Sequence, residues 1–456
     1  MLAVMDTPLS IVIFGATGDL YETKLAHAFQ ALFSQGLLPS DVRIVGFGRR
    51  PLGDDGFRAF TASALIRKGP SSAGFLARCS YVQGDLASQD DFKRLGEYLS
   101  DGDASAGSCS NKLFYLAVPP PFYAGIFKNI AGAGLTVPCA PGKSEGDAPW
   151  TRVLVEKPFG KNGAEAERLD RMLGELFDES QVFRIDHYLA KEAMQNILAF
   201  RFANPMFSPL WNKNHIERVR IVVHEERSVG TRGAFYDGVG ALRDVGQNHM
   251  LQMLALVAME EPRGMGADAV RSARAAVLGE VGIDTDVIPF RAQYAGYRAE
   301  PGVASDSETE TFFRATVRMD NDRWRGVPFE LESGKALNAS CVEIEVRFKG
   351  RPGNALTFAI QPREGIRLGF NFKRPGFDTA LEERDLSFAY ADEPAGAPVR
   401  DAYERVLYDC IRGDQSLFIS TPEIVEEWRI TADIISAWQA APLASYPLGS
   451  APESVQ

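Results

Sequence analysis

Ile11-Val12-Ile13-Phe14-Gly15-Ala16-Thr17-Gly18-Asp19-Leu20 reads as a strand, a tight turn and the start of a helix. The β-branched run Ser10–Phe14 predicts the strand, and Gly15 permits the turn after it. Gly18 lets the backbone approach a phosphate, and the N-terminus of the following helix offers N–H donors and a partial positive charge to the same anion. Two glycines alone would equally serve an ordinary structural turn. Their place adds weight, because this is the first strand–helix junction of an alternating stretch.

Outward from that turn, short strands are predicted at Arg43–Phe47, Ser80–Val82, Lys112–Ala117 and Arg152–Val155. Helical stretches separate them, among them Thr23–Gly36, Gln89–Leu99 and Pro121–Ala131. Strands spaced by helices imply βαβ units and a parallel, doubly wound, Rossmann-like sheet. Ser100–Ser110 and Pro138–Pro149, rich in Gly, Ser, Asp and Pro, read as solvent loops. After about residue 200 the runs lengthen and alternate: Ile216–Val223, Phe312–Met319, Val342–Phe348, Leu356–Ile360 and Arg367–Phe372. Period 2 predicts a half-buried, mainly antiparallel sheet. Helices are expected at Ala241–Met259, Asp401–Ile411 and Thr421–Trp438. The expected fold class is α/β plus α+β: a dinucleotide-binding domain over residues 1–200, then a substrate-binding and dimerisation domain over 201–456.

The chain has 456 residues, 45% of them apolar and 24% charged, a globular balance. Its net charge is −11, from 49 basic and 60 acidic residues, which speaks against nucleic acid or an anionic membrane as partner. A local basic pocket can still oppose that global sign. No apolar run approaches the roughly 18 residues of a membrane span, and the first ten residues lack Lys and Arg. The five cysteines, Cys79, Cys109, Cys139, Cys341 and Cys410, lie far apart with no C-x-x-C pair. Reduced thiols in a cytoplasmic protein are expected, without a disulfide framework or zinc site.

Where the second strand ends, nicotinamide dinucleotide binders that prefer NAD place an acid. This chain has Arg49-Arg50, and paired guanidiniums suit the 2′-phosphate of NADP. Two surface arginines after a strand remain the alternative. Asp85 and Pro119 also fall at C-terminal strand ends, where a cofactor crevice is expected.

Two segments concentrate chemistry. Phe183–Glu192 holds Asp186, His187, Tyr188 and Lys191: a carboxylate, an imidazole, a phenol and an ammonium. A helix beginning near Leu189 would gather the last three at an N-terminus suited to phosphate. Gly240–Met250 holds Asp244 and His249 at the start of an otherwise apolar helix. Lys157, in Glu156-Lys157-Pro158-Phe159-Gly160, follows the fifth strand. Read singly, these are a capped helix, a core histidine and a loop lysine.

Together, Val155–Gly160, Arg184–Leu189 and Arg243–His249, with the glycine turn, Arg201–Asn204, Tyr236–Met259, Arg325–Asn338 and Asp401–Leu407, resemble the glucose-6-phosphate dehydrogenase family from about residue 10 to 440. The resemblance implies oxidation of glucose 6-phosphate at C1 with NADP, NAD being possible, and no metal. It implies His249 as general base and Asp186 as the carboxylate orienting it. It maps phosphate contacts onto His187, Tyr188 and Lys191. Sugar contacts map onto Lys157, Glu225, Asp244, Lys335 and Gln361. On the cofactor side it matches the glycine turn Gly15, Ala16, Thr17, Gly18, Asp19 and Leu20, with Lys24 and Arg49; Arg50, Asp85 and Pro119 from the strand ends, and Lys157 between cofactor domain and substrate site, complete the candidate set. A homodimer or homotetramer built through the large sheet is implied as well.

Some positions depart from the family. Ala190 replaces a glycine, and strain is expected if that position needs positive φ. Glu22 stands in the glycine loop, where its charge would repel a pyrophosphate. Ser340 and Ala359 replace basic residues that in some members hold a second NADP, so none is expected. Two alternatives stay open: a dehydrogenase for another hexose phosphate or a free sugar, and a non-catalytic sugar-phosphate or NADP-binding paralogue.

Overall fold

The computed structural model describes residues 7–67, 69, 71–139, 149–350, 352–392, 400–438 and 441–455. Most of the predicted loop Pro138–Pro149 lies outside the described residues. The chain folds into two compact units, one of residues 1–187 and 401–419, the other of residues 188–400 and 420–456.

The first unit holds the strands β1 (Leu9–Phe14), β2 (Arg43–Gly48), β3 (Cys79–Gln83), β4 (Asn111–Leu116), β5 (Thr151–Val155) and β6 (Val182–Ile185). They are mutually parallel, in the order β6-β5-β4-β1-β2-β3, and the two-residue strand Phe418–Ile419 is added antiparallel beyond β6. This is the doubly wound order 3-2-1-4-5-6, in which the connections reverse direction beside the first strand. β1 is wholly buried, as a strand covered on both faces must be. Phe14 packs edge-on against Phe47, at 5.4 Å between ring centroids, and stacks on Phe92 at 5.3 Å.

Two expectations for this unit are corrected. Helix Gln89–Ala106 runs through most of the stretch read as a loop and stops at Gly107, whose φ of 65° closes it. Its last turns persist because Asp103 is buried beneath them. The Asp103 carboxylate accepts from Arg43 at 2.7 Å, Lys112 at 2.8 Å and Ser110 at 2.6 Å. The expectation of five separate thiols is corrected too. Cys109, just before β4, and Cys139, after helix Tyr123–Gly132, form a disulfide with a Cα separation of 6.0 Å. Cys79, Cys341 and Cys410 are free.

The second unit is built on a larger sheet. Its main strands are β7 (Ile216–His224), β8 (Phe290–Tyr294), β9 (Phe312–Met319), β10 (Phe329–Gly334), β11 (Cys341–Phe348), β12 (Ala355–Gln361), β13 (Gly365–Lys373) and β14 (Leu381–Ala389). The order is β14-β13-β12-β11-β7-β10-β9-β8, then the short strand Ala444–Tyr446, with Val281–Ile283 paired to β9. Most pairs are antiparallel, whereas β7–β10 and Ala444–Tyr446 with β8 are parallel. The register of β7 and β10 sets His224 opposite Gly334, so Glu225 and Lys335 leave the sheet side by side. The predicted helix Ala241–Met259 is present in two parts, a π-helical stretch Leu242–Met250 and an α-helix Leu251–Ala258. Among the described residues no helix is long and apolar enough to cross a membrane.

Asp103→Ala would leave the Lys112 ammonium buried without its carboxylate, a loss of about 3 kcal/mol. Denaturant unfolding is expected to show a lower midpoint for Asp103→Ala than for an exposed control such as Asp101→Ala. Equal midpoints would refute the role given to Asp103.

Candidate active site

In the first unit the sequence-predicted cofactor residues follow the C-terminal ends of the parallel strands, except Lys24, which lies in the helical stretch Tyr21–Leu25. Gly15 has φ +84°, and a Cβ there would stand 2.3 Å from the Ala117 carbonyl oxygen and 2.8 Å from Val118 Cγ1. Only glycine fits that turn. Gly18 donates to the Gly15 carbonyl at 2.9 Å, and Glu22 donates back to Gly18, which closes the turn into the helical stretch from Asp19 onward. Ala16 is buried, Thr17, Gly18 and Leu20 are partly covered, and Asp19 is exposed. The turn lies between β4 and β2, at the reversal of strand order where such sheets bind dinucleotides. A tight glycine turn with spare N–H donors at that point fits a nicotinamide dinucleotide.

Arg49 and Arg50 are both exposed after β2, and Gln83 holds the Arg49 carbonyl at 3.2 Å. Lys24 meets Asp401 at 3.4 Å, an exposed pair. Asp85 instead caps its own turn, its carboxylate accepting from the Ala87 N–H at 2.9 Å. Pro119 precedes a short 3₁₀ turn, Pro120–Phe122. Glu22 pairs with Arg67 through its carboxylate at 2.6 Å, which partly offsets the charge it brings to the loop.

Lys157 and Pro158, joined by a cis bond, follow β5, and beneath them lies a feature the sequence reading missed. Glu156 is buried, and its carboxylate accepts from Tyr115 at 2.6 Å and from Tyr403. Tyr123 donates to the Glu156 carbonyl at 2.9 Å. Burial raises the Glu156 carboxyl above the usual range despite these donors. Tyr403 also stacks on His187, with centroids 6.2 Å apart and planes 12° apart. Asp186, at the end of β6, is buried.

In the second unit, seven residues read from the sequence fall into two clusters. Lys335, with its side chain 4% exposed, is hydrogen-bonded to Glu225 and lies 3.3 Å from Asp244. The Tyr236 ring lies under its ammonium at 5.2 Å. The second cluster joins Tyr188 and His249, whose rings are 4.1 Å apart. Tyr188 donates to Gln361 at 3.3 Å, and the Lys191 ammonium lies over its ring at 5.3 Å. Asp244 and His249 both stand on the π-helical stretch, five residues apart. In a regular α-helix, five residues turn through about 500°, leaving two side chains about 140° apart. The wider i→i+5 turn brings such a pair nearer one face, and turns of this kind recur at functional sites.

The expected helix start near Leu189 is corrected. The helix runs Glu192–Ala203 with Lys191 at its N-cap, and Glu364 accepts from the Ala193 N–H at 2.8 Å. A protein carboxylate thus takes a donor expected to face phosphate. Ala190 is not strained: among the described residues Ala336 is the one non-glycine with positive φ, at 54°.

Comparison with known families agrees with this geometry. The NAD-binding domain model of glucose-6-phosphate dehydrogenase matches residues 12–196, and the C-terminal domain model matches residues 198–455. The chain belongs to the glucose-6-phosphate dehydrogenase family. Glucose-6-phosphate 1-dehydrogenase 6, cytoplasmic, of Arabidopsis thaliana is 38% identical over 96% of this chain and 88% of its own. Glucose-6-phosphate 1-dehydrogenase 2 of Mycobacterium tuberculosis is 37% identical over 95% and 89%. A solved glucose-6-phosphate dehydrogenase in complex with glucose 6-phosphate superposes with a TM-score of 0.90, at 32% identity over 99% of this chain and 96% of that one. The structure of the Mycobacterium avium enzyme gives 0.82, at 32% identity over 97% and 95%.

One further group in this family member stands behind the Asp244 turn. Glu310 is buried, and it accepts from the Leu242 N–H at 3.0 Å, the first residue of the π-helical stretch. Gly240, with φ +78°, makes room for it, since a Cβ there would lie 2.2 Å from the carboxylate. Burial pushes the Glu310 carboxyl up to about 7, against the hydrogen bond from Leu242. The folded chain therefore holds this proton more tightly than the unfolded one. The linked stability is full below about pH 4.5 and is lost as pH rises toward 7 and beyond, by about 3 kcal/mol. Thermal unfolding at pH 5 and pH 8 should show wild type losing more stability with pH than Glu310→Gln does. An equal loss in both would contradict this assignment.

Proposed function

We propose that this chain oxidises glucose 6-phosphate at C1 to 6-phosphogluconolactone, with NADP as hydride acceptor. The carrying observation is the meeting of Lys335, Glu225 and Asp244 beside the turn that bears His249, in a chain that both family models span. The dinucleotide, when bound, supplies the hydride acceptor. Gly15–Leu20, Lys24 and the edge bearing Asp85, Pro119 and Lys157 would hold it, and exposed Arg49 and Arg50 favour a 2′-phosphate.

In this reading the His249 imidazole takes the proton of the C1 hydroxyl. The C1–H pair leaves as hydride, and the O1 electrons left behind complete the C=O bond of the lactone. By its resemblance to the family, Asp186 is assigned the orientation of that imidazole. Glu225 and Asp244 accept from sugar hydroxyls, and Lys335 sets the position of both carboxylates. A site built on such pairs rejects analogues lacking the hydroxyls. His187, Tyr188 and Lys191 take the phosphate, which separates this reading from a free-sugar dehydrogenase. A cytoplasmic homo-oligomer completes the reading. It is supported by the edge strand β14, which leaves Leu381 46% and Leu386 60% exposed.

Purified protein should form NADPH from glucose 6-phosphate at least about tenfold more efficiently than NADH, and turn over free glucose far more slowly. His249→Asn should lose at least about a hundredfold in kcat. No turnover with either cofactor would refute the activity, and full activity of His249→Asn would refute the base.

A further inference from the structure

The π-helical stretch Leu242–Met250 departs from the favoured backbone pattern, so something outside it must hold it. Asn248 does part of this locally. Its amide donates to the carbonyls of Arg243 at 3.3 Å and Asp244 at 3.2 Å, and its Oδ1 accepts the backbone N–H of His249 at 2.7 Å. Gln247 Oε1 then accepts from Asn248 at 3.4 Å. Gln247 Nε2 in turn donates to Glu427 at 3.3 Å. A continuous path therefore runs from Glu427 through Gln247 and Asn248 to the backbone of His249.

Glu427 sits on helix Thr421–Trp438 and is 1% exposed. Its second oxygen accepts from Gln252 at 2.7 Å. Gln247 and Gln252 are five residues apart, so one carboxylate clasps a pair of side chains that a regular α-helix would point apart. Gln252 also donates to Glu423 at 3.2 Å, and Glu423 is fixed by Arg274 at 2.6 Å, both fully buried. Buried carboxylates cost free energy unless their acceptors are filled. Gln247 and Gln252 donate to Glu427, while Glu423 is filled by Arg274 and Ser420 with one bond from Gln252.

We infer that Glu427 is a positioning residue for His249, locking the π-helical register through Gln247 and Asn248. The inference rests on the reading of His249 as the base. Glu427 touches neither sugar nor dinucleotide in this scheme. Its loss should therefore lower the rate of the chemical step and leave ground-state binding nearly intact, because a displacement of about 1 Å at a base costs up to about a hundredfold.

The test compares steady-state kinetics of Glu427→Gln, Gln247→Met, the exchange variant E427Q/Q247E and His249→Asn. The expected result is a fall of at least about tenfold in kcat for Glu427→Gln and Gln247→Met, with KM for glucose 6-phosphate within about threefold of wild type. The exchange variant, which restores an amide–carboxylate contact of opposite sense, should recover most of that kcat. If Glu427→Gln does not fold, as read by circular dichroism, Gln247→Met carries the test alone, since it leaves both buried carboxylates in place. Wild-type kcat in the folded variants would overturn the inference. So would a rise in KM as large as the fall in kcat. Full turnover of His249→Asn would instead overturn the reading of the base. An inactive His249→Asn beside a fully active Glu427→Gln would overturn the positioning role alone.

Discussion

A buried ammonium cannot stand without carboxylates, and Lys335 imposes that constraint on the second unit. Three separated pieces of chain must meet to satisfy it. Glu225 comes from the end of β7, Lys335 from the end of β10, and Asp244 from the π-helical stretch. The parallel pairing of β7 with β10 delivers the first two side by side. The backbone then turns at Ala336, whose N–H donates to Arg227 while Leu337 donates to Glu225. Glu310 and Glu427 hold the third piece from behind, at its first residue and at Gln247. A net-acidic protein thus builds a local site in which one buried cation is flanked by two carboxylates.

The first unit solves a different problem with the same means. Its parallel sheet ends in a row of loops, and the order of strands opens a crevice beside β1. Gly15 keeps that crevice open because no larger residue clears Ala117 and Val118. Under the β5 loop, buried Glu156 is tied to Tyr115, Tyr123 and Tyr403, and Tyr403 stacks on His187. Chain from residues 401–419 therefore supports a side chain more than two hundred residues earlier in sequence.

Much of this was legible in the sequence. The parallel sheet could be read because each strand is short, apolar and followed by turn residues, as in Ile11–Gly15 and Arg43–Gly48. The larger sheet could be read from its period of two. Lys335, Glu225 and Asp244 were legible through family motifs, and they do converge. What was illegible depends on contacts distant in sequence. Helix Gln89–Ala106 passes through a loop-like composition because Asp103 finds Arg43 and Lys112. Glu22 has a partner, Arg67, that lies far along the chain. A π-helical turn leaves no period to read, and Glu310 and Glu427 look in sequence like any other acids. The two-residue strand Phe418–Ile419 is too short to carry a pattern and gains its place by packing Phe418 on Phe183, with centroids 4.8 Å apart.

The central claim is that Lys335 organises the sugar-phosphate site. Calorimetric titration of glucose 6-phosphate into wild type and Lys335→Met, without cofactor, tests it directly. Removing the ammonium leaves Glu225 and Asp244 to repel each other and loses a charged hydrogen bond worth about 1.5–3 kcal/mol. The predicted result is a Kd raised at least about tenfold in a variant that remains folded. An unchanged Kd would contradict the account.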